Sequence, residues 1–191
     1  MQIVAILLAA GASTRFHGNK LTADFNGREL YRHALDALCS APDIQQTIVV
    51  VSPDFRIPAD YPNCNFIVNS CSADGMSSSL RAGVRAAPPE AAAYMITMAD
   101  MPRITPSVIA MIIRHYFESG KQIIVPTYHG RNGHPVIISA AFKDDLLALT
   151  GDVGARQLIQ RYAKSVGHFE LDDDAVVSDV DTLEDLCTIK Y

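Results

Sequence analysis

The chain has 191 residues, 49% of them apolar and 19% charged, a composition that suits one folded domain and excludes a disordered chain. Sixteen Lys and Arg against twenty-one Asp and Glu leave a formal charge of −5, the wrong sign for gripping a nucleic-acid backbone by charge. No stretch approaches the roughly eighteen apolar residues of a membrane span, and the apolar N-terminal run lacks the basic flank of a signal peptide. The expectation is a cytoplasmic protein with neither a membrane nor a nucleic-acid partner. Cys39, Cys64, Cys71 and Cys187 show no CxxC spacing and read as free thiols in a reducing compartment, not as a zinc site.

Along the chain, β-branched runs alternate with amphipathic stretches, the pattern of an α/β fold. Strands are expected at Ile3–Ala9, Thr47–Val51, Asn65–Val68, Tyr94–Met98, Gln122–Pro126 and Pro135–Ile138. The leading Pro of the last suits a strand start or an edge. The first helix, Glu29–Cys39, puts Leu30, Ala34, Leu35 and Leu38 on one face. Thr105 caps a helix that opens on Pro106 and ends at Gly120. Further helices are expected at Phe142–Leu149 and Ala155–Ala163, with a short one from Thr182. Continuously apolar strands imply a sheet covered on both faces. The expected fold is a single three-layer, Rossmann-like α/β domain with a mostly parallel sheet, spanning residues 1–191.

In such sheets ligands lie beyond the carboxyl ends of the strands, so the loops at 10–20, 69–79 and 99–105 are the candidates. In the first, small residues after a strand let backbone N–H groups approach an anion. A Walker loop fails because Phe16 stands in place of its Gly-Lys, and GxGxxG fails at Ser13. What remains is a small-residue turn followed by Arg15 and Lys20, two cations that suit a triphosphate or simply a tight turn with solvated charges. In the second loop Ser77, Ser78 and Ser79 can cap a helix whose N-terminus either takes an anion or base edge or is merely capped. In the third, Asp100 directly follows a buried strand and could hold Mg²⁺, or cap the turn before Pro102. Asp181 offers a second carboxylate or an ordinary N-cap. His134, beside the glycines of 130–133, contacts a substrate or lies on the surface. Asp172, Asp173 and Asp174 read as a solvated turn, and no GxSxG elbow occurs.

Several motifs occur in order between residues 3 and about 187: Leu8-Ala9-Ala10-Gly11 with Ser13, Arg15 and Lys20; Gly75-Met76-Ser77-Ser78-Ser79-Leu80; Asp100-Met101-Pro102; Gly133-His134-Pro135; Gly151-Asp152-Val153-Gly154-Ala155-Arg156; and Asp179-Val180-Asp181-Thr182. Together they resemble the MobA-like nucleotidyltransferases of molybdenum cofactor biosynthesis, and among these the cytidylyltransferases. The resemblance implies transfer of CMP from CTP to the terminal phosphate of molybdopterin, with release of pyrophosphate and dependence on Mg²⁺. It implies Arg15, Lys20 and Asp100 as catalytic residues, and nucleotide binding by Leu8, Ala9, Ala10, Gly11, Ala12, Lys20, Asn69, Gly75, Met76, Ser77, Ser78 and Ser79. Asp100 and Asp181 would carry the metal, while Gly133, His134, Pro135, Asp152 and Arg156 would face the pterin. Ala10 goes with CTP in this family, where Gly goes with GTP. A molybdoenzyme or its chaperone would receive the product. The chain departs from the family pattern at Phe16-His17, Asn19 and Leu183. Guanylyl transfer from GTP, a nicotinamide-dependent reductase of the nicotine blue type, and a non-catalytic nucleotide-binding module are the alternatives.

Overall fold

The computed structural model describes residues 2–11, 16 and 19–189. Its centre is an eight-stranded mixed sheet. Strand β1 (Gln2–Ala9) lies in the middle, parallel to β4 (Ile44–Val51) on one side and to β6 (Ala91–Met98) on the other. Beyond β4 comes the edge strand β5 (Cys64–Val68). Beyond β6 come β9 (Val136–Ser139), β7 (Ile123–Tyr128) and β10 (Val166–Glu170). Strand β9 runs antiparallel to both of its neighbours, and the short β8 (Arg131–Asn132) pairs with β7. A separate hairpin joins β2 (Asp24–Phe25) to β3 (Arg28–Glu29).

Strand alternation divides the core into two layers. Ile3, Ala5, Leu7 and Ala9 face one apolar cluster with α1 (Leu30–Ser40) and α3 (Pro106–Ser119). Val4 and Ile6 face the other, with α2 (Met76–Ala86) and α4 (Lys143–Leu147), and with Leu158 of α5 (Arg156–Arg161). Helix α2 crosses the sheet so closely at Gly83 that a Cβ there would lie 2.5 Å from Ile6 Cγ2. The expected three layers and mostly parallel sheet are present.

Helix α3 forms as read: Thr105 Oγ1 accepts from the Val108 amide, Pro106 opens the first turn and Gly120 closes it in the left-handed region. Other boundaries move. The fifth strand continues past Pro126 to Tyr128, and the sixth starts after Pro135, inside the sheet and not at its edge. Pro135 needs no ladder donor because it precedes the strand; its peptide bond with His134 is cis. The helix expected at Phe142–Leu149 is shorter, preceded by a 3₁₀ turn at Ala140–Phe142, and the one expected at Ala155–Ala163 spans only α5. Strand β10 was not anticipated, because Val166-Gly167-His168-Phe169-Glu170 alternates too weakly to stand out.

Candidate functional site

Beyond β1 the chain passes through Ala10 and Gly11, and beyond β6 through Ala99 and Asp100. The Ala99 amide donates to the Leu8 carbonyl, carrying the β1–β6 pairing one step past the strand end and fixing Asp100 beside the first loop. On its far side β1 pairs with β4, so this is the point where the strand order reverses, the usual place for a ligand in an open α/β sheet. A cavity of about 550 Å³ opens there. Leu8, Ala9, Ala10, Gly11, Lys20 and Leu21 line one part, Ser72, Ala73, Asp74, Gly75, Met76 and Ser79 another, and Met98, Asp100 and Asp152 complete it. The volume lies within the range of small-ligand sites.

Lys20 is the charged centre of this cavity. Asn19 Oδ1 accepts from the Leu21 amide and opens a 3₁₀ turn at Lys20–Thr22, so the departure from the family pattern at Asn19 supplies a cap. Lys20 is buried, and its Nζ lies 2.7 Å from Asp100 Oδ2 and 3.1 Å from Asp181 Oδ1. Burial alone would depress its pKa, but Asp100 first and Asp181 second outweigh that and hold it above the ordinary lysine value. Asp181 arrives from the far end of the sequence because the Val180 amide donates to the Asp100 carbonyl at 2.9 Å. An ion pair at 2.6 Å from Arg103 to Asp174 ties the preceding turn to the same loop. The Asp185 carboxylate then accepts from the Asp181 and Thr182 amides, part of a capping box that opens α6 (Leu183–Thr188). Burial, with Asp100 and Asp181 nearby, raises the pKa of Asp179.

Two carboxylates that share one ammonium group are a hard-oxygen donor set of the kind that holds Mg²⁺ or Mn²⁺. Asp100 Oδ1 is buried with no hydrogen-bond partner, so an acceptor remains for a cation once Oδ2 has been counted. The residues therefore fit a divalent ion. Among the described residues no group of three or more His, Cys, Asp or Glu side chains assembles for one; one or two carboxylates suffice where such an ion takes its other ligands from water or phosphate.

The second loop differs from expectation. Ser77, Ser78 and Ser79 do not cap α2. Gly75 stands at the N-cap with φ +92°, and Asp152 Oδ1 accepts from the Met76 amide at 2.9 Å. The Ser77 amide donates to Gly151 O and the Ser78 amide to Gly75 O. The first three amides of α2 are thus taken internally, and the expected anion site at this helix end is filled by the protein's own carboxylate. Gly75 also permits the loop to dock, since a Cβ there would lie 2.8 Å from the Asp152 backbone. Asn69 is buried and donates to Ser78 Oγ and Ser79 Oγ, at 2.8 and 3.0 Å. It shapes the cavity wall from behind, with Ser79 at the surface of the cavity.

Of the residues expected on the pterin side, Asp152 lies in the same cavity as the nucleotide-loop residues, whereas Gly133, His134, Pro135 and Arg156 do not line it. Gly133 packs against the backbone of Val176, and the His134 amide donates to the Val176 carbonyl. His134 is half-buried and does not line the cavity. Its imidazole approaches the Ile96 carbonyl at 3.5 Å, and burial lowers its pKa despite nearby Asp100 and Asp179. Arg15 and Ala12, like Ser13 and His17, lie outside the described residues. Leu21, Ser72, Ala73, Asp74 and Met98 line the cavity without having been anticipated. Ser72, Ala73 and Asp74 lie inside the candidate loop at 69–79, whereas Leu21 and Met98 each stand one residue outside a candidate loop.

Residues 5–166 match the MobA-like NTP transferase domain, and the chain belongs to that family. It is a nucleotidyltransferase. It is 26% identical over 147 residues to a probable molybdenum cofactor guanylyltransferase of Thermococcus sibiricus, covering 77% of this chain and 72% of that one. The structure of an Rv0371c homologue from Mycobacterium sp. strain JC1 superposes with a TM-score of 0.82 at 26% identity, over 96% of this chain and 92% of that one. Rv0371c of Mycobacterium tuberculosis H37Rv, solved in complex with manganese, superposes with a TM-score of 0.80 at 24% identity, over 99% and 100% of the two chains. Among the described residues no helix is long and apolar enough to cross a membrane.

Proposed function

From this membership we propose that the protein transfers GMP from GTP to the terminal phosphate of molybdopterin, releasing pyrophosphate. The observation that carries the reading is the Asp100–Lys20–Asp181 cluster on the wall of a cavity built by a small-residue loop. The backbone from Ala9 to Gly11 has no bulk to keep a ligand away, and Lys20 supplies an ammonium group for the phosphates. Asp100 and Asp181 would hold a divalent ion, Mg²⁺ in this reading, which when bound neutralises charge on the triphosphate. Leu8, Met76 and Met98 would give the nucleotide an apolar wall.

The acceptor phosphate oxygen attacks the α-phosphorus in line, forming one P–O bond as the bond to the pyrophosphate oxygen breaks. In this reading Lys20 stabilises charge that grows on the phosphate oxygens. A phosphate anion is already nucleophilic at neutral pH, so no side chain needs to remove a proton. The named activity of the Thermococcus relative supports guanine. Ala10 supports cytosine through the family pattern of the first loop, and CTP is the second reading.

A thermal-shift series with GTP, CTP, ATP and NADPH, each with and without Mg²⁺, followed by pyrophosphate release with molybdopterin, tests both. The expected result is Mg²⁺-dependent stabilisation by GTP, lost in Asp100→Ala and weakened in Asp181→Asn. That second variant keeps the fold because Asp181 is 45% exposed. Ligand at one hundred times its dissociation constant adds about 2.7 kcal/mol, an easily read shift. Preference for CTP would select the second reading. Stabilisation by NADPH alone would overturn nucleotidyl transfer at this cavity.

A further inference from the structure

On the opposite side of β4 from β1, two cysteines lie together, away from the cavity. Cys39 sits near the C-terminal end of α1 and Cys64 is the first residue of β5, 25 positions on, with their Sγ atoms 3.1 Å apart. Cys64 pairs in register with Thr47 of β4, so one helix and two strands converge on the pair. We propose that Cys39 and Cys64 are a redox modification site, closed to an intramolecular disulfide by exchange with a small-molecule disulfide such as oxidised glutathione.

Access and reactivity fall on the same residue. Cys39 is exposed and Cys64 is partly covered, so an incoming disulfide meets Cys39 first. The hydrogen bond between the two thiols, in which either sulfur can donate, lowers the pKa of Cys39, opposed by burial, aided by Thr47 and opposed by Asp36. The same interaction raises that of Cys64. Cys39 is therefore the attacking thiolate and Cys64 the resolving thiol. Cys39 attacks one sulfur of the small disulfide, forming a mixed disulfide and expelling a thiolate. Cys64, giving its proton to that thiolate, then attacks Cys39 Sγ and expels the second thiolate. In sum the two cysteines lose two electrons and two protons, and the small disulfide gains both.

The product would tie an edge strand to a helix. Among the described residues strand β5 has a ladder partner only in β4, and its far end leads into Asn69, which holds Ser78 and Ser79 behind the cavity. Cross-linking Cys39 to Cys64 closes a loop of moderate length and gives this strand a second attachment. Cys71 and Cys187 are exposed, and among the described residues neither has another sulfur at this distance, so they serve as internal controls.

The test is incubation of the whole protein with oxidised glutathione, followed by alkylation and non-reducing peptide mass spectrometry. The expected product is a protein lighter by two hydrogens, with a Cys39–Cys64 peptide, while Cys71 and Cys187 remain open to alkylation. Its melting temperature should rise by about 5–10 °C and return on reduction. In Cys64→Ser the reaction should stop at a persistent glutathione adduct on Cys39. Four cysteines modified at equal rates with no internal link, or a link only between separate molecules, would overturn the proposal. None of these readings depends on which nucleotide the cavity accepts.

Discussion

Two networks of charge sit on different parts of this molecule, and nearly the same contacts do different work in each. Around Arg32 of α1, the guanidinium bonds Glu29 at 2.7 Å and Asp60 at 2.6 Å and lies over the rings of Tyr31 and Tyr61. Tyr61 donates in turn to Asp36, which pairs with Arg28. Around Lys20, an ammonium group bonds Asp100 and Asp181 at comparable distances. The Arg32 network lies in solvent at its acidic ends, with Asp60 59% exposed, whereas Lys20 and Asp100 are 10% and 16% exposed. In water such pairs are screened and contribute little; withdrawn from water they attract more strongly and cost more to strand. The first network fastens a surface loop to a helix. The second keeps charge where a charged ligand can use it.

This contrast predicts graded effects. Replacing Lys20→Met should lower nucleotidyl transfer, measured as pyrophosphate release, by at least ~10²-fold, since a cation aimed at developing charge is lost. The same variant leaves two carboxylates facing each other and should melt at lower temperature, with added Mg²⁺ restoring part of the loss. A variant that melts like the parent would mean the cluster is as well solvated as the one around Arg32.

Next in size is Gly75→Ala, in the part of the cavity wall that packs against Asp152. A left-handed φ and a Cβ pressed 2.8 Å from backbone together should cost about 2–4 kcal/mol in urea unfolding. The smallest effect is expected from Asp60→Asn on the exposed network, with melting temperature and turnover both unmoved at physiological salt. A clear loss there would contradict the assignment of that network to local fastening.

Much of the site could be read along the chain because its parts stand directly after strands. Asp100 after Tyr94–Met98, and the small residues after Ile3–Ala9, are where an α/β sheet puts its ligands, whatever the rest of the sequence does. Helix α3 was equally legible, since Thr105, Pro106 and Gly120 act within one turn of where they stand. The α2 cap was not. Three serines in a row suggested a local solution, but the partner of the Met76 amide is Asp152, 76 residues away, and no local rule reaches that far. The interior position of β9 escaped for a related reason: Pro135 argues about a strand's first residue and says nothing about the strand's neighbours.

Continuously apolar strands between amphipathic stretches, turn glycines and the order of the motifs determined the layers, the candidate loops and the family, because each acts through its own neighbours on the chain. The tertiary structure alone decided that Lys20 sits between Asp100 and Asp181, residues 80 and 161 positions away. It decided that His134 is drawn toward the Ile96 carbonyl, and that Cys39 meets Cys64 across two elements. Each of these depends on a β-ladder or a backbone hydrogen bond between distant segments, and those pairings exist only once the sheet has closed around both.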